Sequence, residues 1–435
     1  MRTPRPYGGQ VTDGARPSPQ TDNSPAHGVY PHDADPAQPS RMLTEPREGT
    51  PDPIETEEAL REMTKRLAAG SGPIAVDAER ASGYRYSHRA YLIQLRRAGA
   101  GTALIDPIGF DNLAALGGAL ADTEWVIHAA SQDLPCLVEI GMRPTRLFDT
   151  ELGARIAGFE RVGLAALTER LLGHTLEKHH SAADWSTRPL PASWLTYAAL
   201  DVELLVELRY ALAIELERQG KLGWAEEEFA ALLSAPPAKP RPDPWRRTSG
   251  IHKARGRRAL ARVRALWHAR DTLAQQRNIA PGRVLPDAAI VAAAQTDPDN
   301  AAALFGLPGF NGRATRRLAR IWLDALKAAR ALSEADLPAT TAHSDGPPPP
   351  HRWAERDPEA AARLTRCRAA VTHIAEELMV PSENLLAPDT VRRLAWSPPE
   401  VTSLDTTVQM LTEHRARQWQ ITLTAGPLTK ALATQ

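Results

Sequence analysis

The chain has 435 residues, of which 43% are hydrophobic and 24% charged, and its formal net charge is zero. This composition is typical of a soluble globular protein with roughly two to four domains. The sequence has no run of about 18 apolar residues and no basic segment followed by an apolar core at its start, so we expect neither a transmembrane helix nor a signal peptide. Two cysteines are too few for a disulfide framework, so we expect a cytoplasmic protein.

The zero net charge is the sum of a basic stretch and an acidic remainder of the chain. Residues 241–330 contain 18 Lys or Arg and 6 Asp or Glu, so this stretch carries a charge of +12. The rest of the chain contains 34 basic and 46 acidic residues and carries a charge of −12. A basic stretch in an otherwise acidic chain indicates contact with a polyanion, and we expect that polyanion to be a nucleic acid.

The first half of the chain is predicted to be a disordered tail followed by an α/β domain. Residues 1–50 contain nine prolines and little apolar periodicity, as disordered segments do. Residues 51–233 combine helical patterns with short apolar runs, which predicts a mixed sheet flanked by helices. A helix over 55–70 is followed by strands over 73–79, 90–98, 102–107 and 125–130. One long helix is predicted from an N-cap at Ser193 to a stop at Gly220.

The second half is predicted to form two all-α domains. Proline-rich stretches over 234–249 and 334–354 are interpreted as linkers, which leaves helical blocks over 250–333 and 355–435. Both blocks contain an R-x-R-A pattern inside a helix, followed by an apolar residue near a Pro and a Pro-Asp pair that starts another helix. This repeat of about 100 residues predicts a duplicated helical domain.

Acidic residues recur in three motifs. Asp77 and Glu79, in the strand sequence VDAE, point to the same face of the sheet. Unpaired charges in an apolar interior would cost on the order of several kcal/mol. Asp133, in HAASQDL, lies at a strand-to-helix junction, and Tyr197 and Asp201, in YAALD, share one helix face. We expect the four carboxylates to meet at one point.

A group of carboxylates of this kind favours a metal centre. The hard oxygen atoms suit Mg²⁺ or Mn²⁺, and cations would compensate the adjacent charges of Asp77 and Glu79. Two such ions roughly 4 Å apart can clamp the attacking and leaving oxygens when a phosphodiester is displaced. The pattern therefore predicts two divalent cations and a phosphodiester substrate.

Residues beside the three motifs receive simpler interpretations. Asp149 in LFDT is interpreted as a cap or turn residue, and His128 as a structural residue. Lys178 and Arg188 could contact phosphate or could be solvated charges. None of these four is assigned to the metal site.

The motifs, in this order, resemble the ribonuclease D family in the DEDD superfamily of 3′-to-5′ exonucleases. The resemblance rests on VDAE, HAASQDL and YAALDVELL, with support from LIQL (92–95), FDTELGARIAG (148–158) and SAADWSTRPLP (181–191). It covers roughly residues 55–225. It implies a ribonuclease H-like α/β exonuclease domain followed by two all-α HRDC-like domains, of which the first is expected to bind nucleic acid.

The resemblance also implies a reaction and its partners. RNA would be hydrolysed from its 3′ end with release of nucleoside 5′-monophosphates, in the presence of two divalent cations, Mg²⁺ or Mn²⁺. Asp77, Glu79, Asp133 and Asp201 would hold the ions, and Tyr197 would orient the attacking water. The expected partner is RNA, with tRNA precursors as substrates, and no membrane.

Two other functions stay open on sequence alone. The first is a DNA 3′-exonuclease of the same superfamily, because no residue can be assigned to recognise the ribose 2′-hydroxyl. The second is a catalytically inactive RNA-binding scaffold. Loss of a motif acid would favour the scaffold, but all four acids and Tyr197 are present.

Overall fold

A computed structural model describes residues 41–176, 183–237, 240–341 and 346–434 of the chain. Most of the predicted disordered tail, residues 1–40, and Lys178 lie outside the described residues. Within these described residues, no helix has the length and apolar character needed to cross a membrane.

The α/β half is built on a mixed sheet, as predicted. The six main strands lie in the order β2-β5-β4-β3-β6-β7, and β1 pairs separately with β8. The third strand is central, because it pairs antiparallel with the fourth and parallel with the sixth. The strands are β1 (Arg41–Leu43), β2 (Pro53–Ile54), β3 (Ser71–Arg80), β4 (Ala90–Ala98), β5 (Gly101–Ile105), β6 (Glu124–Ile127), β7 (Arg146–Asp149) and β8 (His174–Leu176).

Helices cover both faces of this sheet. Their apolar residues and those of the strands form one large core that includes Ile74, Val76 and Trp125. A smaller cluster on the other face of β3–β5 joins Leu92 and Leu104 to one of the late helices. The helices of this half are α1 (Glu57–Ala69), α2 (Ala114–Ala119), α3 (Leu134–Glu139), α4 (Thr150–Ile156), α5 (Leu164–Leu172), α6 (Ala192–Glu203), α7 (Leu205–Arg218) and α8 (Leu222–Ser234).

The prediction of one long helix after Ser193 is wrong, because the helix breaks at Leu204. Four successive residues, 202–205, are buried there. A straight helix turns by about 100° per residue and cannot bury four neighbours on one face. The N-cap is Pro191 and not Ser193, so α6 starts earlier than predicted. Gly220 lies two residues beyond the end of α7, close to the predicted stop.

The prediction of a disordered tail to residue 50 is wrong for residues 41–50. Residues 41–43 form a strand that pairs with β8. The Arg47 side chain donates a hydrogen bond to Glu207 at 2.8 Å and lies 3.7 Å from Glu203. These long-range contacts order a segment whose composition alone predicts disorder.

The C-terminal half forms two helical bundles, as predicted, each with its own apolar core. Trp245 and Trp353, which fall in the two predicted linkers, are buried in these cores. The first bundle contains α9 (Arg257–Arg277), α10 (Pro281–Val284), α11 (Asp287–Thr296), α12 (Ala301–Phe305), α13 (Arg313–Arg317) and α14 (Ala319–Arg330). The second contains α15 (Trp353–Arg356), α16 (Pro358–Leu378), α17 (Ser382–Leu385), α18 (Pro388–Trp396), α19 (Leu404–Glu413) and α20 (Gln418–Ala433).

The two bundles repeat each other in detail. The long helices α9 and α16 both end at a left-handed residue, Asn278 and Met379, 101 residues apart. The same offset relates two side-chain hydrogen bonds. Arg262 Nε donates to the Ala294 carbonyl at 2.7 Å, and Arg363 Nε donates to the Ala395 carbonyl at 3.0 Å. Matching interactions at matching positions support the predicted duplication.

Candidate active site

The central strand β3 supplies the first two acids of the site. Asp77 and Glu79 are two residues apart and therefore share a face of the sheet. Their neighbours Val76 and Ala78 point to the opposite face and are buried in the main core. The alternation of the strand thus holds both carboxylates on one side, as the sequence predicts.

Helix α6 packs over that side of the sheet and brings Asp201 to the same place. Asp77, Glu79 and Asp201 each offer a carboxylate oxygen, and these three atoms all lie within 4.8 Å of one another. Tyr197, one helical turn before Asp201, is hydrogen-bonded to it. Three adjacent carboxylates form a donor set of hard oxygens that fits Mg²⁺ or Mn²⁺.

Asp133 lies beside this group of three and is not one of its members. It immediately precedes α3, where its buried side chain makes no capping hydrogen bond. Its Oδ1 lies 3.3 Å from Arg80 Nη2. It also interacts electrostatically with Asp77, so it stands close to the cluster.

Asp149 shapes the loop that leads to Asp133. Its carboxylate accepts hydrogen bonds from the backbone N–H groups of Ala129 at 3.1 Å and Ala130 at 2.9 Å, and it caps α4. Ala129 has φ 58°, a left-handed conformation that residues other than glycine rarely adopt, and the hydrogen bonds that Ala129 and Ala130 donate to Asp149 stabilise it. Asp149 is therefore a cap residue, as predicted. It also fixes the backbone of the loop that precedes Asp133.

Burial and mutual repulsion oppose ionisation of the clustered acids. Burial, followed by the charges of Asp77, Asp201 and Asp133, raises the pKa of Glu79 to about 10. Burial and the charge of Asp77 raise the pKa of Asp133 to about 8. The pKa values of Asp77 and Asp201 are raised as well, mainly by burial. The cluster therefore needs added positive charge to be fully ionised near neutral pH.

Two other residues near the motifs make hydrogen bonds within the protein. His128 Nδ1 lies 2.9 Å from Thr150 Oγ1, and burial lowers its pKa to about 4. Arg188 is paired with Asp106 at 2.8 Å and donates to the Tyr91 carbonyl at 2.7 Å. The interpretation of His128 as structural is thus supported, and the guanidinium of Arg188, although partly exposed, is paired within the protein.

A cleft of about 370 Å³ opens beside the cluster. Glu79 and Arg80 lie in its wall, together with Tyr84 and Gln132. The first bundle supports the rim of this cleft, because Arg283 Nε donates to the Gly83 carbonyl at 2.9 Å. Sequence reasoning missed this contact, because nothing in the local pattern links residues 200 positions apart.

Relatives of this chain match it over most of its length. Ribonuclease D of Acidiphilium cryptum is 34% identical over 358 residues, which cover 78% of this chain and 87% of that protein. The chain belongs to the ribonuclease D family. Family models match in the expected order: 3′-5′ exonuclease over 51–217, HRDC domain over 259–326, and 3′ to 5′ exonuclease C-terminal domain over 346–432.

Solved structures agree with this membership of the ribonuclease D family. Escherichia coli RNase D, described as an exoribonuclease involved in structured RNA processing, is 26% identical with a TM-score of 0.65, covering 88% of this chain and 98% of its own. A protein from Bifidobacterium adolescentis is 41% identical with a TM-score of 0.83, covering 91% and 100%. The predicted fold and enzyme class, a 3′-to-5′ exoribonuclease, are confirmed.

The first HRDC-like bundle of this ribonuclease D family member contacts the loop between β3 and β4. Asn278 Oδ1 accepts hydrogen bonds from the backbone N–H groups of Tyr86 at 3.2 Å and Ser87 at 3.0 Å. The Ala280 N–H donates to the Tyr84 carbonyl at 2.9 Å. The loop that follows β3 is therefore held by another part of the chain.

The second bundle contacts a different part of the nuclease domain. Lys221 Nζ donates to the Leu378 carbonyl at 2.6 Å. The rings of Trp224 and Trp419 stack with 5.1 Å between their centroids, and Trp419 Nε1 donates to Glu228 at 3.1 Å. These contacts involve α8 and not the loop beside the carboxylates.

Proposed function

We propose that this enzyme removes nucleotides from the 3′ ends of structured RNA, tRNA precursors among them, with the help of two divalent cations, Mg²⁺ or Mn²⁺. The observation that carries the proposal is the meeting of Asp77, Glu79 and Asp201 within 4.8 Å on an exonuclease fold. Bound cations would stabilise the negative charge that develops on the phosphoryl oxygens.

Four carboxylates are proposed to hold the cations. Asp77, Glu79 and Asp201 form the cluster, and Asp133 would complete the set from the junction before α3. Burial, followed by the charge of Asp77, raises the pKa of Asp133, and the charge of Arg80 offsets only part of that rise. Asp133 would therefore ionise fully only with further positive charge nearby.

Tyr197 is proposed to orient the attacking water. Burial and the neighbouring charge of Asp201 raise its pKa, so the phenol keeps its proton and is a poor general base. Its hydrogen bond to Asp201 fixes the ring next to the carboxylates. Water would attack the terminal phosphorus, the bond to the 3′-oxygen of the preceding nucleotide would break, and that oxygen would take a proton. The products are a nucleoside 5′-monophosphate and an RNA one nucleotide shorter.

The first HRDC-like domain is proposed to contact RNA phosphates. Several of its arginines are paired internally, as Arg270 is with Asp287 at 2.6 Å. Other basic side chains are exposed in the segment before α9, where His252, Lys253 and Arg255 line an open cleft of about 520 Å³. Exposed cations around a concave surface suit a phosphate backbone.

We propose domain boundaries from the hydrophobic core to which each residue belongs. The nuclease domain would end near residue 233, as expected from the sequence. The first helical domain would start at Pro244, because Trp245 belongs to its core. The second would start near Pro348, whose carbonyl accepts a hydrogen bond from Trp353 Nε1 at 2.7 Å. Both linkers are then shorter than the predicted 234–249 and 334–354.

Incubation of the purified protein with a 5′-labelled tRNA precursor tests the proposal. With Mg²⁺ or Mn²⁺ the label should move into a ladder of products shortened one nucleotide at a time, and excess chelator should stop the reaction. A DNA oligonucleotide of matched sequence should be degraded more slowly. Faster degradation of the DNA would favour the DNA exonuclease. No degradation of either, by a folded protein, would favour the RNA-binding scaffold.

A further inference from the structure

Gln94 is a buried amide that faces the catalytic strand. It lies on β4 directly opposite Asp77 on β3. The residue is 0% exposed, and neither Nε2 nor Oε1 has a hydrogen-bond partner in the described part of the chain. Buried amides are usually hydrogen-bonded, so an unsatisfied one beside three carboxylates calls for an explanation.

The register places the Gln94 side chain on the same face as the carboxylates. Directly opposed residues of paired strands share a face, with Cβ atoms about 4.5–5.5 Å apart. On its other side Gln94 is opposite Leu104 of β5. Leu104 packs against Ala198 and Ala199 of α6 in one cluster. Gln94 is therefore enclosed between the sheet and the helix that carries Asp201.

The surroundings of Gln94 offer few polar partners. Leu92, two residues earlier on β4, faces the same side and is buried in the apolar cluster. Arg96, two residues later, is already paired with Glu203 at 3.3 Å. An apolar side chain of similar size would fill this position without leaving an amide unsatisfied. Packing alone thus gives no reason for an amide opposite Asp77.

We infer that Gln94 is a positioning residue of the metal site: when cations bind, its Nε2–H group turns to donate a hydrogen bond to the Asp77 carboxylate and orients that carboxylate toward the cations. The inference rests on the proposed function, since it assigns a task to Gln94 only if Asp77 is a ligand. A hydrogen bond to a ligating carboxylate fixes its direction and favours its charged form. Gln94 would not itself touch the cation or the RNA.

A pair of substitutions separates this task from a packing role. Gln94→Met keeps the approximate length of the side chain and removes the amide, and Leu92→Met is the matched control on the same strand and face. Binding of Mn²⁺ alone is measured by titration calorimetry, and thermal unfolding is followed with chelator present. Cleavage of labelled RNA supplies kcat and KM.

The inference predicts a particular combination of results. Gln94→Met should unfold, without metal, at a temperature equal to or above that of the unchanged protein, because a buried unsatisfied amide has been removed. Its affinity for Mn²⁺ should fall about 10- to 100-fold, as for other residues that orient ligands. Its kcat should fall while KM for RNA stays within about twofold. Leu92→Met should leave Mn²⁺ affinity unchanged.

Other results would overturn the inference. Unchanged Mn²⁺ affinity in Gln94→Met would show that the amide does not orient a ligand. Loss of folding in Gln94→Met would show that the amide is needed for structure. If the unchanged protein failed to bind Mn²⁺, the proposed function itself would be rejected along with the inference.

Discussion

Arg283 of the first HRDC-like domain lies over the ring of Tyr84, with 4.1 Å between the guanidinium carbon and the ring centroid. Tyr84 in turn lines the cleft next to Glu79. A residue of the helical bundle therefore supports one wall of the active-site cleft. This domain contributes to the shape of the proposed active site in addition to its proposed contact with RNA.

Replacing Arg283 should slow catalysis without disturbing the metal site. Arg283→Ala removes the cation–π contact and the hydrogen bond to Gly83, which together are worth about 1–2 kcal/mol. The loop beside the cleft should become more mobile, and kcat/KM should fall about 3- to 30-fold. Arg320→Ala, at an exposed arginine of the same domain, is the control. Equal kinetics in the two variants would mean that the loop needs no support from Arg283.

Asp77→Asn should abolish cleavage and leave the fold intact. The amide is a weaker ligand than a carboxylate, so cations should bind poorly. Without metal, the variant should unfold at a higher temperature than the unchanged protein, because one buried charge near Glu79 and Asp201 has been removed. Thermal unfolding with chelator and the RNA cleavage assay test both points. Substantial hydrolysis by the folded variant would reject the assignment.

The stability of the metal-free protein should fall as pH rises. The pKa of Glu79 is raised from 4.5 to about 10 and that of Asp133 from 3.8 to about 8, so the folded state binds protons more tightly than the unfolded chain. Their contribution to stability is fully present below about pH 4 and is lost as pH rises through the folded pKa values. The gain in Tm on adding Mg²⁺ should therefore be larger near pH 9 than near pH 6. Glu79→Gln should reduce the difference between the gains in Tm at the two pH values. A gain in Tm that does not depend on pH would contradict the account.

Tyr197→Phe should lower kcat and little else. The substitution removes one hydroxyl and keeps the ring, which packs near Trp185 with 6.5 Å between centroids. Fold and Mn²⁺ affinity should survive, and kcat should fall roughly 10- to 1000-fold, the effect of one positioned catalytic group. Tyr210→Phe, at an exposed tyrosine of α7, should have no effect. A change confined to KM would instead assign Tyr197 to RNA binding.

The carboxylate cluster could be predicted from the sequence because it depends on local periodicity. Asp77 and Glu79 share a face through the strand repeat of two, and Tyr197 and Asp201 through the helical repeat. Local periodicity does not show that β3 and α6 meet; that expectation came from grouping the acids around a metal and was also implied by the family resemblance. The ion pair between Arg80 and Asp133 depends on tertiary packing, so no local pattern revealed it.

Features that depend on long-range contacts were missed or mistaken. Gln94 lies within an apolar strand pattern, and only the register with β3 places it opposite Asp77. The ordering of residues 41–50 depends on contacts with β8 and α7, which composition cannot show. The support of the active-site loop by Asn278 joins residues nearly 200 positions apart.

The central claim is that Asp77, Glu79 and Asp201 hold divalent cations. Crystals of the protein soaked in Mn²⁺ test it directly, because manganese gives an anomalous scattering signal that locates it without reference to the protein density. The account predicts strong anomalous peaks in contact with these three carboxylates, with Asp133 in contact with at least one peak. Crystals that show no peak at this cluster at saturating Mn²⁺, or peaks only at other acidic groups, would contradict it.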